Sequence, residues 1–168
     1  LAYGPNINAP MDAASGRLAY AAIQQAAQQA TRVSDREQAL IRALATRYTA
    51  EPPADRTELD VAYSRAMADV VQRFTDDQEA KTLYAESLMD LSPWDYWTAD
   101  GKPKPNTIML LSQLEQVLAA EPDHPGANHF YIHALEAVEP EWALAAAERL
   151  ADLMPGAGHL VHMPGHIY

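Results

Sequence analysis

Proline-containing joints cut this chain into short runs of helix-forming residues, and that rhythm leaves few folds open to it. The joints read "EPPAD" at 51–55, "EPDHPG" at 121–126, "EPE" at 139–141 and "PGAGH" at 155–159. Proline lacks a backbone N–H and clashes with the preceding turn, so each joint ends or restarts a helix. The runs between them are rich in Ala, Leu, Gln, Glu and Arg, all strong helix formers. Val and Ile, the residues that favour strands, are sparse. An all-α fold of about eight helices is expected.

The individual helices can be read from their ends. "MDAASGRLAYAAIQQAAQQA" at 11–30 is one Ala-rich helix. Ser34 with Glu37 forms a capping box for a second, whose apolar stripe is Leu40, Ile41, Leu44 and Tyr48. A third runs from about Thr57 to Phe74, with Val61, Met67, Val70 and Val71 facing inward. Thr75 and Gln78 are expected to box a fourth, ending near Leu91. Asn106 or Thr107 is expected to cap a fifth, through about Ala120. Pro125 suits the first turn of a sixth, a seventh covers "WALAAAERLADLM", and an eighth follows the glycines of "PGAGH". At most one stray β-bridge is expected.

The longest irregular stretch, 92–106, carries Trp94, Tyr96 and Trp97. These side chains are too apolar for a free linker. Both indoles are expected to be mostly buried, pinning the loop on the helices or walling a pocket.

The formal net charge is −11. No Lys/Arg cluster is present to replace phosphate counterions, so nucleic acid is excluded as a partner, and anionic lipid with it. An acidic surface instead concentrates cations. Cysteine is absent, so every soft thiolate ligand is excluded. No apolar run approaches the roughly 20 residues of a membrane span, so membrane insertion is not expected. A soluble protein fits cytoplasm and periplasm equally, and the compartment stays open. The sequence starts at Leu1 and stops at Tyr168 within an expected helix, and it is read as one domain, 1–168, from a longer protein.

All six histidines lie from His124 onward. His129, His133 and Glu136 stand at i, i+4 and i+7, on one face of a helix. His159, His162 and His166 stand at i, i+3 and i+7. His129 and His162 are 33 residues apart, as are His133 and His166, and Pro122 and Pro155. Helices packed roughly 8–10 Å apart would let imidazoles from both meet. The first expectation is that His129, His133, His162 and His166 converge, with Glu136 and His159 the next candidates. Imidazole and carboxylate suit Zn, Cu, Ni or Fe. Glu136 would be a ligand or, failing that, a base. Pro164 interrupts the last helix and leaves open which way His166 turns. His124 is read as a bystander, and Asn128 and Tyr131 as lying off the face.

A unit of 33 to 34 residues with two helices resembles the tetratricopeptide repeat. Ala143, Ala147 and Pro155 occupy that family's small-residue and closing-proline positions, while Ala127, Phe130 and Tyr131 depart from its first-helix pattern. "HPGANHFYIHALEA" with "PGAGHLVHMPGHIY" also looks like a bacterial group within that family. The resemblance implies an antiparallel helical hairpin array, a right-handed superhelix (an α-solenoid) with a concave groove. It implies no reaction.

Two functions fit. One is metal binding in the groove, with or without metal-dependent catalysis. The other is a metal-free interaction module that binds a protein or peptide. Uncapped solenoid ends would also allow a homodimer. No nucleophile elbow or phosphate-binding glycine loop is present, so whether the chain is an enzyme stays open.

Overall fold

Ser34 shows how local chemistry sets the helix ends: its hydroxyl accepts from the Glu37 N–H at 3.3 Å, and Glu37 Oε2 accepts from the Ser34 N–H at 2.9 Å. This is the reciprocal capping box read from the sequence. A computed structural model describes residues 4–168. Among them are eight α-helices and no β-strand. The chain divides into two compact units, the first ending at Pro93 and the second running from Trp94 to Tyr168.

The first unit holds α1 (Ala13–Gln29), α2 (Asp35–Ala45), α3 (Thr57–Arg73) and α4 (Gln78–Asp90). Each helix packs on the next in sequence. Ala43, Tyr63, Met67, Val70 and Ala80 form the buried centre, with Leu40, Leu44 and Val71 against it. Leu40 and Leu44 of the expected α2 stripe and Met67, Val70 and Val71 of the α3 stripe thus face the core. The expected Thr75–Gln78 box does not start α4. Asp77 does, accepting from the Ala80 N–H at 3.1 Å while it pairs with Arg36. A carboxylate two residues closer both caps the helix and ties it to α2.

Arg47 is buried in the same unit. It pairs with Glu86 at 2.9 Å and with Asp90, donates to the Pro5 carbonyl at 3.1 Å, and stacks over the Tyr63 ring at 4.4 Å. Burial opposes its charge, but Glu86 and Asp90 outweigh that and hold the guanidinium pKa above its ordinary value. Burial, reinforced by the Glu86 charge, pushes Asp90 up to about 8 in spite of Arg47.

The second unit holds α5 (Pro105–Ala120), α6 (Pro125–Leu135), α7 (Leu144–Leu153) and α8 (Gly158–His162). Helix α5 packs on α6, α6 on α7, and α7 on α8. Leu110, Leu114, Val117, Ile132, Leu135 and Leu150 are fully buried. Each such side chain contributes roughly 1.5–3 kcal/mol relative to exposure. Two expected boundaries move. Pro105 itself opens α5, and neither Asn106 nor Thr107 caps it; the Thr107 hydroxyl donates to the Tyr96 carbonyl instead. The run from Trp142 begins as a 3-10 turn, Pro140–Ala143, because Pro140 starts the segment one turn ahead of α7.

Two isolated bridges occur among the described residues, Asn6 with Ala9 and Trp97 with Pro103, one more than expected. Both close turns and extend no further. The Asn6 side chain accepts from the Asn8 and Ala9 N–H groups, and Gly101, at φ 75°, lets the chain reverse between Thr98 and Lys102. No helix among the described residues is long and apolar enough to cross a membrane.

Candidate metal centre

Helix α6 is fixed at its start by three polar contacts. Pro125 occupies the first turn. The Ala127 N–H donates to His124 Nδ1 at 3.2 Å, so His124 caps the helix and, as expected, stands outside the histidine group. Asn128 is fully buried, and its side-chain amide donates to the Pro122 carbonyl at 2.8 Å and the His124 carbonyl at 2.9 Å. These bonds set the rotation of α6, and that rotation aims His129 and His133. Tyr131 lies away from them, its hydroxyl donating to Glu115 at 3.4 Å.

The third histidine comes from α8. The ligand nitrogens of His129, His133 and His159 all lie within 4.8 Å of one another, a group that could hold a metal ion. His129 Nε2 and His159 Nε2 are 3.0 Å apart. Two imidazoles bound to one zinc at about 2.0–2.1 Å have their nitrogens roughly 3.3 Å apart. His133 is buried, His129 half-buried and His159 exposed, so the group opens toward solvent on one side.

The structure therefore selects His159 where the 33-residue spacing pointed to His162. Helix α8 begins only at Gly158, so its first turn faces α6. Its later residues turn elsewhere: His162 Nε2 lies 2.9 Å from His166 Nε2. Pro164 ends the α-helix and diverts the chain into a 3-10 turn, Met163–His166, though Met163 keeps right-handed helical angles (φ −53°, ψ −38°). That turn brings His166 Nδ1 to 2.7 Å from Glu136 Oε2. Glu136 Oε1 lies 3.6 Å from His133 Nδ1. One carboxylate thus faces two imidazoles.

His133 is 4% exposed, and neither of its ring nitrogens has a hydrogen-bond partner. Burial, with the neighbouring histidines His129, His166, His159 and His162, lowers its pKa to about 3. Burial and the charges of His159 and His166 lower that of His129 to about 4. Both rings are neutral at pH 7 and carry a lone pair for a cation, with no proton to displace. Burial raises the Glu136 pKa, against the pull of His166.

The aromatic loop reaches the same place. Trp97 Nε1 donates to the Ala134 carbonyl at 2.7 Å, pinning the loop to α6 beside His133. The Trp94 ring meets His133 edge-on, with centroids 5.1 Å apart. Trp94 is not buried as expected but 48% exposed, because it stands on the site's edge. Its φ of 62° is left-handed, a conformation that costs a bulky residue about 1–3 kcal/mol. Tyr96, between the two indoles, is the buried anchor at 3% exposure. Comparison of the chain with protein-family models, with curated proteins and with solved structures finds no match.

Proposed function

We propose that this chain binds a divalent transition metal through His129, His133 and His159. The observation that carries the reading is His133. A buried imidazole with two unsatisfied nitrogens costs about 1–3 kcal/mol, and a metal bond at one nitrogen removes much of that cost. An all-imidazole donor set suits Zn, Cu, Ni or Fe and disfavours Mg or Ca. Glu136 Oε1, 3.6 Å from His133 Nδ1, stands on the side of the ring where an outer carboxylate would fix the tautomer on closing to hydrogen-bond distance, leaving Nε2 for the ion. Three protein ligands leave a tetrahedral ion one position for water or substrate, the arrangement of catalytic centres. The net charge of −11 favours cation capture.

The same reading places the site in a tetratricopeptide-like helical hairpin array. In its support, sequence-adjacent helices pack on one another within each unit, and the small residues Ala143 and Ala147 are fully buried.

A metal-free groove for a protein or peptide is the second reading. It is favoured by the His129–His159 contact, whose 3.0 Å also suits a neutral N–H···N hydrogen bond. It leaves His133 unsatisfied, so the metal reading is preferred. The deciding experiment is metal analysis and calorimetric titration of protein made without a histidine tag. Binding tighter than roughly micromolar that is lost in H129A and H159A supports the metal site; the absence of such binding refutes it.

A further inference from the structure

We propose a second cation site on the same face, formed by His162 and His166, so that the chain carries two metal ions. This rests on the metal reading of the first site. Five histidines of the second unit fall into two groups. His129, His133 and His159 form the only cluster of three or more potential ligand residues among the described residues, and His162 and His166 lie outside it. These two are instead paired with each other, Nε2 to Nε2, at 2.9 Å. That spacing matches the His129–His159 pair at 3.0 Å and suits two nitrogens on one ion.

The orientation of His166 supports the assignment. Its Nδ1 lies 2.7 Å from Glu136 Oε2, so the carboxylate stands against that nitrogen while Nε2 is the one turned to His162. Glu136 therefore stands behind one ring of each group, His133 and His166, on the Nδ1 side of both. The two groups adjoin, with the His133 and His166 rings 5.8 Å apart. Acidic residues outnumber Lys and Arg from 94 to 168, which offsets the charge of two divalent ions. Two imidazoles at i and i+4 chelate Zn, Cu or Ni and leave further positions to water. The second ion is thus bound more weakly than the first and exchanges more readily.

The test is Zn(II) stoichiometry on the whole tag-free chain, by calorimetric titration and by metal analysis after desalting. The parent should take two Zn(II) per chain in two resolved phases. H162A/H166A should take one, keeping the tighter phase, which also shows that the fold is intact. H162Q/H166Q serves the same purpose should the alanine variant unfold. One Zn(II) in the parent, two in the double variant, or loss of both ions from a double variant of parental helix content would overturn the second site. In the first of these cases the triad stands alone; no bound Zn(II) in the parent would instead refute the triad, and this site with it.

Discussion

His129 Nε2 and His159 Nε2 face each other at 3.0 Å, although 30 residues of chain and the whole of α7 separate them. The contact joins two helices that the sequence alone cannot orient. Replacing His159 with Ala removes one donor and leaves the core untouched, since His159 is exposed. Affinity for the most tightly held metal should fall by more than about 100-fold, exceeding the effect of a typical outer-shell change. Unchanged helix content and melting temperature of the metal-free protein should accompany the loss.

In the proposed site Glu136 stands at one remove from the ion. Glu136→Gln keeps the shape and removes the charge behind His133 and His166. Metal affinity should drop about 10- to 100-fold, with His129 and His159 still in place. Titration calorimetry of this variant beside H159A orders the two effects, and a smaller loss in H159A would contradict the roles assigned here.

Acid should destabilise the second unit. His129 and His133 titrate near 4 and 3 when folded and near 6.5 when unfolded. The unfolded chain therefore binds more protons between these values, and folding loses stability as pH falls from about 6.5 through 4 to 3. Urea unfolding of the metal-free protein at a series of pH values should show this fall, and H129Q should reduce its slope.

Asp90 has the opposite sign. Its folded pKa of about 8 exceeds the ordinary 3.8, so its stabilising protonation is complete below 3.8 and is lost as pH rises through about 8. Asp90→Asn should flatten the stability of the first unit across that window. Arg47→Met leaves the largely buried Glu86 carboxylate without its cation and should cost about 3–5 kcal/mol at neutral pH, read from the urea midpoint.

Helix content and the Ser34 cap were legible because they depend on residues within one turn of each other. The α6 histidines were legible for the same reason: i and i+4 share a face whatever lies around them. The partner on α8 was not. Its choice depends on where that helix starts, and Gly158 with Pro164 confines it to five residues. Repeat spacing aligned His129 with His162, yet a shortened helix turns a different residue toward α6. The expected burial of Trp94 fails on similar grounds. An indole in a proline-rich loop reads as an anchor, but Tyr96 supplies the buried contact and Trp94 is left at the site's rim.

The shortness of α8 has a consequence for how firmly the triad is held. A helix of five residues is far below the roughly 12–15 at which isolated helices become even marginal, so α8 persists only by packing on its neighbours. Segments of this kind detach locally at low free-energy cost, without unfolding of the rest. Detachment carries His159 away from His129 and His133 and dissolves the ligand set. A cation that binds only the attached form biases the segment by RT ln(1 + [M]/Kd), about 2.7 kcal/mol at a hundredfold excess over Kd. With a metal on the proposed triad, the order of α8 then follows the free metal concentration.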